Sequence, residues 1–368
     1  MSNQLNLMEV IYSFEEAGSE ILAGSIARYL KSKDMNISVC ATHTGIGPLS
    51  QILQAEHINC YAMECETKSW LGKRYALYKL FKRKNIDVLH IHHMSIFILC
   101  YWPAKLAGVR KIIVTEHTHY DIDINKKLYG LCKKYVQRAD FVTVIHHELG
   151  KYFNDNFRVP DDKLKVIPNG VDTLKFSPNE KFDKPNFSSE TNNPIILGCV
   201  ARFHPDKDHK NLIEAVRIAV SNSHHAIHLL LIGDGLLRQD LEKQVKDCNL
   251  VKNVTFMGAR SDVADLYHEL DIFVLPSKTE GVPLVLLEAL SSGIPCIATA
   301  VGGIPELLNN TSGICVEKQN SIDLANAIVS LVDNEEMRKK MSSQGRTNVL
   351  KYYDQDLVFN QYAALFCN

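Results

Sequence analysis

The chain has 368 residues, of which 46% are apolar and 23% charged, and its formal net charge is −1. These values are ordinary for a globular protein, the length suggests two domains, and the charge argues against bulk electrostatic binding of nucleic acid. The ten cysteines form no C-x-x-C pair, so we expect no structural zinc and a reducing compartment. The N-terminal stretch has no basic start before an apolar block, and the run SIFILCYWPA is too short to span a bilayer. We therefore expect a cytoplasmic protein.

Short apolar runs alternate with amphipathic stretches through the first half of the chain. LMEVIYS (7–13) predicts a strand and residues 19–33 predict a helix. Further strands are predicted at NISVCAT, DVLHIHH, KIIVTEH and DFVTVIH, with helices between them. This alternation is typical of parallel α/β layers.

The segment 68–84, KSWLGKRYALYKLFKRK, is basic and contains no acidic residue. Trp70, Leu71, Leu77, Leu80 and Phe81 are expected to form its apolar side. A basic amphipathic helix can lie on an anionic membrane surface, which predicts peripheral contact with the inner face of the membrane. The other interpretation is a helix packed on the sheet with a solvated basic face.

Residues 168–194 are rich in Pro, Asn and Ser and are interpreted as a linker. Strand–helix alternation then resumes, so the sequence predicts two doubly wound parallel-sheet domains, 1–172 and 190–352. The last helix, about 353–368, either packs within the second domain or crosses back to the first. Ligands in such sheets bind at the carboxyl ends of the strands.

The stretch SKTEGVPLVLLEALSSG places two carboxylates around a predicted helix start. Glu280 lies in the loop after the strand DIFVLPS, and Glu288 lies on the helix that Pro283 begins and Gly293 ends. The free N–H groups at that helix start suit an anion, and a carboxylate on each side suits hydroxyl-rich groups at both ends of it. Each Glu alone could equally be an ordinary loop or helix residue, but the pair favours a nucleotide sugar.

Other strand ends in the second half offer further ligand groups. Arg202 and Lys207 lie in the loop of CVARFHPDKDHK and could clamp a diphosphate, although a solvated basic loop is about as compatible with the spacing. Gly233 and Gly258 follow two other strands and allow close backbone approach, and Arg260 lies beside the second of them.

Together these segments resemble the retaining glycosyltransferases of family 4, which have the GT-B fold of two facing Rossmann-like domains. The resemblance covers nearly the whole chain and rests on VIPNGVDTLKFSP, CVARFHPDKDHKNLIEA, LLLIGDGLLRQDLE, VTFMGARSDVADLYHELDIFVLPS and EGVPLVLLEALSSGIPCIATAVGGIPEL. It also suggests that the C-terminal helix returns to the first domain.

The resemblance implies roles for individual residues. Glu280 would bind the donor sugar, Glu288 the ribose, and Arg202 with Lys207 the diphosphate. The backbone from Gly281 through Val282 and Pro283 to Leu284 would complete the phosphate site, and no metal or other cofactor would be needed.

The first domain departs further from the family pattern. The usual Gly-Gly-x-Glu opening is Ala17-Gly18-Ser19-Glu20 here, so Gly18 is the only glycine for the donor phosphate. In VTEHTHYD, His117 matches the family's strand-end histidine, and His119 is a nearby alternative. DVLHIHH supplies three more histidines, which are more typical of core or supporting positions.

The implied function is a retaining, metal-independent transfer of a sugar from a nucleotide diphosphate sugar, with UDP expected on family grounds. The acceptor would be a hydroxyl of a glycan or lipid-linked saccharide. The alternatives are a nucleotide-sugar epimerase or hydrolase of the same fold and a non-catalytic nucleotide-sugar-binding protein. A Rossmann oxidoreductase is weakly suggested by Gly45 and Gly47 in TGIGPLS, but the third glycine is missing.

Overall fold

A computed structural model describes residues 5–15, 17–43, 45, 47–63, 69–178, 193–309 and 311–367. The chain divides into two compact units. The first comprises Met1–Asn169 and Asp356–Asn368, and the second comprises Gly170–Gln355. Residues 179–192 of the predicted linker lie outside the described residues.

The first unit contains a seven-stranded, wholly parallel sheet. Its strands are β1 (Asn6–Ile11), β2 (Asn36–Ala41), β3 (Asn59–Ala62), β4 (Val88–His92), β5 (Lys111–Glu116), β6 (Phe141–Val144) and β7 (Leu164–Val166). They are ordered β3-β2-β1-β4-β5-β6-β7. The chain therefore reverses its direction of winding between β1 and β4, which are neighbours in the sheet.

Helices connect these strands and cover the sheet. They are α1 (Gly18–Ser32), α2 (Pro48–Ala55), α3 (Trp70–Arg83), α4 (Met94–Ala107), α5 (Tyr120–Ile124), α6 (Lys126–Tyr135) and α7 (His147–Phe157). The predicted strand at 7–13 and helix at 19–33 are found one residue earlier at their starts. The apolar run that includes SIFILC forms most of α4, whose aliphatic residues are largely buried.

The C-terminal helix belongs to the core of the first unit. Val358, Phe359, Tyr362 and Phe366 are buried with residues of β1, α1 and β2. The Lys111 ammonium donates to the carbonyl oxygens of Leu365 and Phe366 and thereby caps the helix end.

The second unit has a six-stranded parallel sheet in the order β10-β9-β8-β11-β12-β13. Its strands are β8 (Ile195–Val200), β9 (Ile227–Ile232), β10 (Val254–Gly258), β11 (Ile272–Leu275), β12 (Cys296–Thr299) and β13 (Gly313–Val316). Its helices are α8 (His209–Asn222), α9 (Arg238–Asp247), α10 (Val263–Tyr267), α11 (Leu284–Ser291), α12 (Ile304–Leu308), α13 (Ser321–Val332) and α14 (Glu335–Tyr352), and α15 (Gln355–Cys367) follows them.

The strands of the second unit are continuous apolar runs because helices cover both faces of a parallel sheet. Leu197, Leu229, Leu231, Ile272 and Val274 are buried in one cluster with residues of α8 and α13. Where the chain enters and leaves this unit, Val171 N donates to Tyr353 O and Gln355 N donates to Val171 O. Among the helices of the described ranges, none combines the length and apolarity that crossing a bilayer requires.

Candidate functional site

The carboxyl ends of β8 and β11 mark the winding reversal of the second sheet. These strands are hydrogen-bonded neighbours, yet β9 and β10 separate them in the chain. Ligands of open α/β sheets bind at such a topological switch point. The two loops that follow, 201–208 and 276–283, carry most of the side chains that the sequence predicts to bind the donor.

Lys207 and Glu280 join these two loops directly. Lys207 Nζ lies 2.6 Å from Glu280 Oε1, and the side chains are 18% and 9% exposed. Ser277 donates to the same carboxylate oxygen at 2.6 Å. The acidic neighbours of Lys207 in sequence are engaged elsewhere, since Asp206 pairs with His204 and Asp208 with Lys278. Lys207 is therefore directed at Glu280 rather than neutralised by its neighbours in sequence.

Backbone contacts hold the Glu280 loop from the other side. Gly303 N donates to Gly281 O at 2.8 Å. Gly302 adopts φ +54°, and a Cβ at this position would lie 2.0 Å from Glu280 O. Glycine is therefore required at position 302 both for the left-handed backbone and for the close approach of the two chain segments.

Helix α11 begins at this loop as the sequence predicts. Pro283 is its N-cap, and Gly293 follows its end with φ +76°. In the part of the chain that the structure describes, the N–H groups of Leu284 and Val285 have no hydrogen-bond acceptor. Such unpaired donors at a helix N-terminus are a ready site for an anion.

Glu288 lies one turn into α11 and is held by a buried tyrosine. The Tyr267 hydroxyl lies 2.9 Å from Glu288 Oε2 and 3.0 Å from Val285 O. Burial raises the pKa of Glu288, while the Tyr267 hydrogen bond and the charge of Lys175 lower it. Burial and the neighbouring Glu288 charge raise the pKa of Tyr267, so the phenol stays protonated and donates.

Both acids use one oxygen for the protein and leave the other open. Glu280 Oε2 and Glu288 Oε1 have no partner among the described residues, yet neither is a buried polar atom that lacks a partner. Both atoms therefore reach solvent. A carboxylate fixed in this way can accept hydrogen bonds from ligand hydroxyls without reorganising.

The remaining predicted donor residues differ in their surroundings. Arg202 is exposed, and its guanidinium has no protein partner within the described ranges. Arg260, which the sequence predicts near the donor, is paired with Asp262 through two hydrogen bonds. Gly233 N donates to Gly258 O, and a Cβ at Gly233 would lie 2.1 Å from Ala201 O. Gly18 is the first residue of α1 and has no positive φ, so the structure shows no turn that requires glycine there.

A second group of polar residues lies at the switch point of the first sheet. β1 and β4 are adjacent there, and β5 is the next strand. Glu9 on β1, His90 and His92 on β4, and His117 directly after β5 are all buried. The strands that carry these side chains are distant in sequence but are neighbours in the sheet.

Glu9, His92 and His117 form a continuous hydrogen-bonded chain. Glu9 Oε2 lies 2.9 Å from His92 Nε2, and His92 Nδ1 lies 3.0 Å from His117 Nε2. Burial lowers the pKa of His92 to about 4 and that of His117 well below its usual value. Burial raises the pKa of Glu9, against the opposing contact with His92. His92 and His117 are therefore neutral at physiological pH.

His93 adopts a backbone conformation that is unusual for a side-chain-bearing residue, with φ 76° and ψ 137°. Its ring Nδ1 lies 2.9 Å from Glu116 Oε1, and its Nε2 lies 3.1 Å from Ser19 Oγ. Burial lowers the pKa of His93, but the charge and hydrogen bond of Glu116 outweigh burial and raise it overall. Strained residues held by such contacts are enriched at functional sites. The backbone conformation distinguishes His93 from His90 and His92, whereas the sequence pattern DVLHIHH does not separate the three histidines.

His119, the alternative to His117, has different contacts. Its Nδ1 lies 2.7 Å from Asp123 Oδ2, its ring stacks on Tyr152, and its side chain is 45% exposed. It contacts no member of the buried histidine cluster in the described structure. The geometry therefore favours His117 as the strand-end histidine.

Glu9, His90 and His92 also have the composition of a metal site, since one ligand atom from each lies within 4.8 Å of the others. However, Glu9 Oε2 lies only 2.8 Å from His90 Nδ1 and 2.9 Å from His92 Nε2. Neighbouring ligand atoms of a tetrahedral zinc ion with bonds of about 2.0–2.1 Å are about 3.3 Å apart. Both separations are shorter than this spacing, and the contact with His92 is a hydrogen bond, so the three groups do not have the spacing of zinc ligands.

Helices α3 and α4 carry an exposed aromatic surface on the first unit. Leu77, Leu80 and Phe81 of α3 are buried, but Trp70 and Leu71 are 54% and 72% exposed. These five residues do not share one environment, because α3 packs against α4 and presents its first turn to solvent. A groove of about 470 Å³ is lined by Leu71, Arg74, Tyr75, Tyr78, Trp102, Pro103 and Leu106.

The two parallel-sheet units define a GT-B protein, and comparison with solved structures supports this. HepE from Anabaena, solved with UDP and glucose, has a TM-score of 0.85 at 18% identity and covers 99% of both chains. A glycosyltransferase from Rickettsia africae has a TM-score of 0.83 at 21% identity and covers 99% of this chain and 98% of its own. At these identities the likeness is one of fold.

Sequence relatives define the family. The profile of glycosyl transferases group 1 matches residues 180–348, and that of glycosyltransferase family 4 matches residues 17–175. An Escherichia coli UDP-Gal:alpha-D-GlcNAc-diphosphoundecaprenol alpha-1,3-galactosyltransferase is 32% identical over 270 residues, which are 71% of this chain and 70% of the relative. A Bacillus anthracis N-acetyl-alpha-D-glucosaminyl L-malate synthase is 27% identical over 77% of this chain and 75% of its own. The chain belongs to the family 4 glycosyltransferases and has a nucleotide-sugar glycosyltransferase function.

Proposed function

We propose that this enzyme transfers a sugar from a UDP-sugar to a hydroxyl of a lipid-linked saccharide, with retention of anomeric configuration and without a metal ion. The galactosyltransferase relative acts, by its name, with UDP-Gal on a diphosphoundecaprenol-linked GlcNAc. HepE was solved with UDP-glucose. A Corynebacterium glutamicum relative is GDP-mannose-dependent and only 26% identical, so relatives favour UDP without excluding GDP.

The observation that carries the proposal is the pair of carboxylates around the start of α11, each of which has one oxygen bound to the protein and one oxygen open to solvent. Glu280 presents Oε2 to the donor sugar hydroxyls, and Glu288 presents Oε1 to the ribose. The diphosphate between them is held by the unpaired N–H groups of Leu284 and Val285 and by the helix dipole. This order of groups matches the chemistry of a nucleotide sugar, which has hydroxyls at both ends of a dianion.

Lys207 and Arg202 supply the cationic charge. The Lys207 ammonium has three hydrogens, one of which is directed to Glu280, so the others remain for a phosphate oxygen. Arg202 is exposed and free to close on the diphosphate. As the sugar–phosphate bond breaks, negative charge grows on the leaving diphosphate, and these cations stabilise it more in the transition state than in the ground state.

Retention follows from a same-face substitution in this proposal. The acceptor hydroxyl attacks the anomeric carbon from the side of the departing diphosphate, whose oxygen takes the acceptor proton. The protein then contributes mainly position and charge stabilisation. His117 is assigned to the donor sugar by its match to the family's strand-end histidine.

The α3–α4 surface supports a lipid-linked acceptor. Arg74 stacks on Trp70 at 3.6 Å from the ring centroid, and Lys79 lies 4.5 Å from that of Tyr75. Exposed aromatic rings interleaved with cations are typical of segments that lie in the headgroup region of anionic membranes. We therefore assign the first turn of α3 to peripheral membrane contact.

The test is a donor screen with UDP-glucose, UDP-galactose, UDP-GlcNAc and GDP-mannose on the full-length protein. Thermal shift reports binding, and nucleotide release with and without a GlcNAc-diphospholipid acceptor analogue reports transfer. We expect one UDP-sugar to raise Tm and acceptor-dependent release of UDP. Release at the same rate without acceptor would instead indicate a hydrolase.

Two variants test the assigned roles. Glu280→Gln and Arg202→Ala should each lower turnover about 100-fold or more with the fold retained. Arg217→Ala is the matched control, because Arg217 is a surface arginine of the same unit that is paired with Glu214. Near wild-type transfer by Arg202→Ala would refute its role in leaving-group stabilisation.

A further inference from the structure

The hydrogen-bonded chain from Glu9 to His117 ends at an atom that is open to solvent. His117 Nδ1 has no hydrogen-bond partner among the described residues, yet it is not a buried polar atom that lacks a partner. The opposite ring nitrogen, Nε2, faces His92 Nδ1. The inner end of the chain is Glu9, which is fully buried.

The chemistry of the three groups restricts where the protons lie. An ionised Glu9 can only accept, so the proton of a neutral His92 is on Nε2, which faces Glu9. Glu9 Oε2 also lies 2.8 Å from His90 Nδ1, but that contact lacks hydrogen-bond geometry, so His92 is the hydrogen-bonded partner of this oxygen. With Glu9 ionised, His92 Nδ1 keeps a lone pair and accepts from His117 Nε2, whereas a protonated Glu9 that donated to His92 Nε2 would reverse the direction of the chain.

We propose that Glu9 and His92 are positioning residues that fix His117 with its proton on Nε2, so that its solvent-facing Nδ1 is a hydrogen-bond acceptor. The ring is oriented from inside by a hydrogen bond, in the way that a third group orients a catalytic base. His117 Nδ1 then accepts a hydrogen bond from a substrate hydroxyl and cannot donate one. The consequence for catalysis rests on the function proposed above, whereas the arrangement itself does not.

A second observation supports a role beyond packing. Glu9 Oε1 is buried and without a hydrogen-bond partner among the described residues. An apolar side chain at this strand position would avoid that unsatisfied oxygen. The carboxylate is present despite this cost in stability, and its hydrogen bond with His92 gives it a function that an apolar side chain could not supply.

The experiment reads the tautomer directly and needs no donor. The full-length protein is labelled with ¹⁵N-histidine, and two-bond ¹H–¹⁵N correlations identify which ring nitrogen of His117 is protonated between pH 6 and 8. Spectra are assigned with His117→Gln. We expect His117 to be neutral with a protonated Nε2 and an unprotonated Nδ1, and His92 to be protonated on Nε2.

Two variants break the chain at different points. Glu9→Leu removes the inner acceptor and places an apolar residue in an apolar strand, and His92→Phe removes the middle ring. In each variant we expect the His117 Nε2 proton to exchange faster and the ring to populate both tautomers. His119→Gln is the control on the same chain segment and should leave the His117 signals unchanged, since His119 is paired with Asp123.

Several outcomes would overturn the proposal. A His117 proton on Nδ1 in the wild type would mean that the chain runs in the opposite direction. An unchanged His117 spectrum in a folded Glu9→Leu variant would show that Glu9 positions nothing. Stoichiometric zinc in untagged wild-type protein that is lost in Glu9→Leu would mean that the cluster binds metal instead.

Activity then separates this inference from the proposed function. With whichever UDP-sugar is turned over, Glu9→Leu should lower kcat about 10-fold to 100-fold while changing the donor KM little. If the spectra agree with the proposed tautomers but no donor is turned over, the positioning role of Glu9 and His92 stands and the proposed function fails. If sugar transfer is observed but neither variant changes the His117 spectrum, the positioning role fails and the transferase assignment stands.

Discussion

The charged side chains of the second unit's site show how a protein keeps buried charge available for a ligand. Glu280 is neutralised by Lys207 and hydrogen-bonded by Ser277, and both contacts converge on Oε1. The cost of burying the carboxylate is offset at that oxygen, because buried charges are tolerated when they are paired and hydrogen-bonded. The other oxygen stays open. The ion pair thus serves orientation more than stability.

Gly302 controls the position of Glu280. In Gly302→Ala, the new Cβ would lie 2.0 Å from Glu280 O, so the loop must shift and the residue must also adopt φ near +54°. We expect loss of the thermal shift by UDP-sugar and destabilisation of at least about 1–3 kcal/mol, measured by urea denaturation.

Gly108→Ala is the matched control for that variant. Gly108 also has a positive φ, +87°, but a Cβ there meets no atom within 4 Å. It should cost only about 1 kcal/mol and leave the UDP-sugar shift intact. If Gly302→Ala keeps full donor binding, the close packing of this segment is not what orients Glu280.

At the level of elements, the sequence predicts the strands and helices well where the apolar pattern is strong. The boundaries of α11 follow from Pro283 and Gly293, and the acid in the preceding loop and the acid on the helix follow from their spacing, because all of these signals are local. The acid on β1 does not stand out in the same way. Glu9 is a single carboxylate in an apolar run, and His92, its partner, is 83 positions away in the chain. Only the order of the strands brings these residues together.

Helix α3 shows a different limit of sequence patterns. Its apolar residues predict one face, yet the buried Leu77, Leu80 and Phe81 and the exposed Trp70 and Leu71 have separate environments. Periodicity identifies which residues could be buried, but the neighbouring α4 and the sheet determine which are covered.

The exposed first turn of α3 gives a membrane prediction. Trp70→Ala combined with Leu71→Ser should reduce flotation with vesicles of anionic phospholipid at low salt several-fold. The two substitutions remove the apolar side chains that would insert at the boundary between headgroups and acyl chains. Raising the salt should weaken binding by the wild type, since Lys and Arg residues of α3 contribute.

Ile322→Ser is the control for this pair. Ile322 is 65% exposed at the start of α13 in the second unit. The substitution therefore removes exposed apolar surface at a site away from α3. It should bind vesicles as the wild type does. Equal flotation by all three proteins, or none by the wild type at low salt, would remove the membrane assignment.

For the whole molecule, the two units differ in how many histidines they bury among the described residues. The first unit holds His90, His92 and His117 neutral in one cluster, whereas His209 is the fully buried histidine of the second unit. Burial lowers the pKa of His90 to about 3 and those of His92 and His209 to about 4. Each of these groups therefore links folding to pH.

The sign of the effect follows from these lowered pKa values. As the pH falls through about 6.5, the unfolded chain binds a proton at each histidine and the folded chain does not, so stability decreases. Each histidine contributes up to about 1.4 kcal/mol per pH unit until its folded pKa is reached. The raised pKa values of Glu9 and His93 act in the opposite direction, each between its unfolded and its folded pKa.

We therefore expect the first unit to be the more acid-sensitive part of the molecule. The chain has two tryptophans, Trp70 and Trp102, and both lie in the first unit, so tryptophan fluorescence reports its unfolding. Far-UV circular dichroism reports both units. Between pH 7 and pH 5, the urea midpoint of the first unit, measured by fluorescence, should fall. The midpoint of the second unit, measured as the remaining circular dichroism transition, should fall less. Equal shifts in both signals would mean that the units unfold as one, and a fluorescence midpoint independent of pH would contradict the neutral state of the buried histidines.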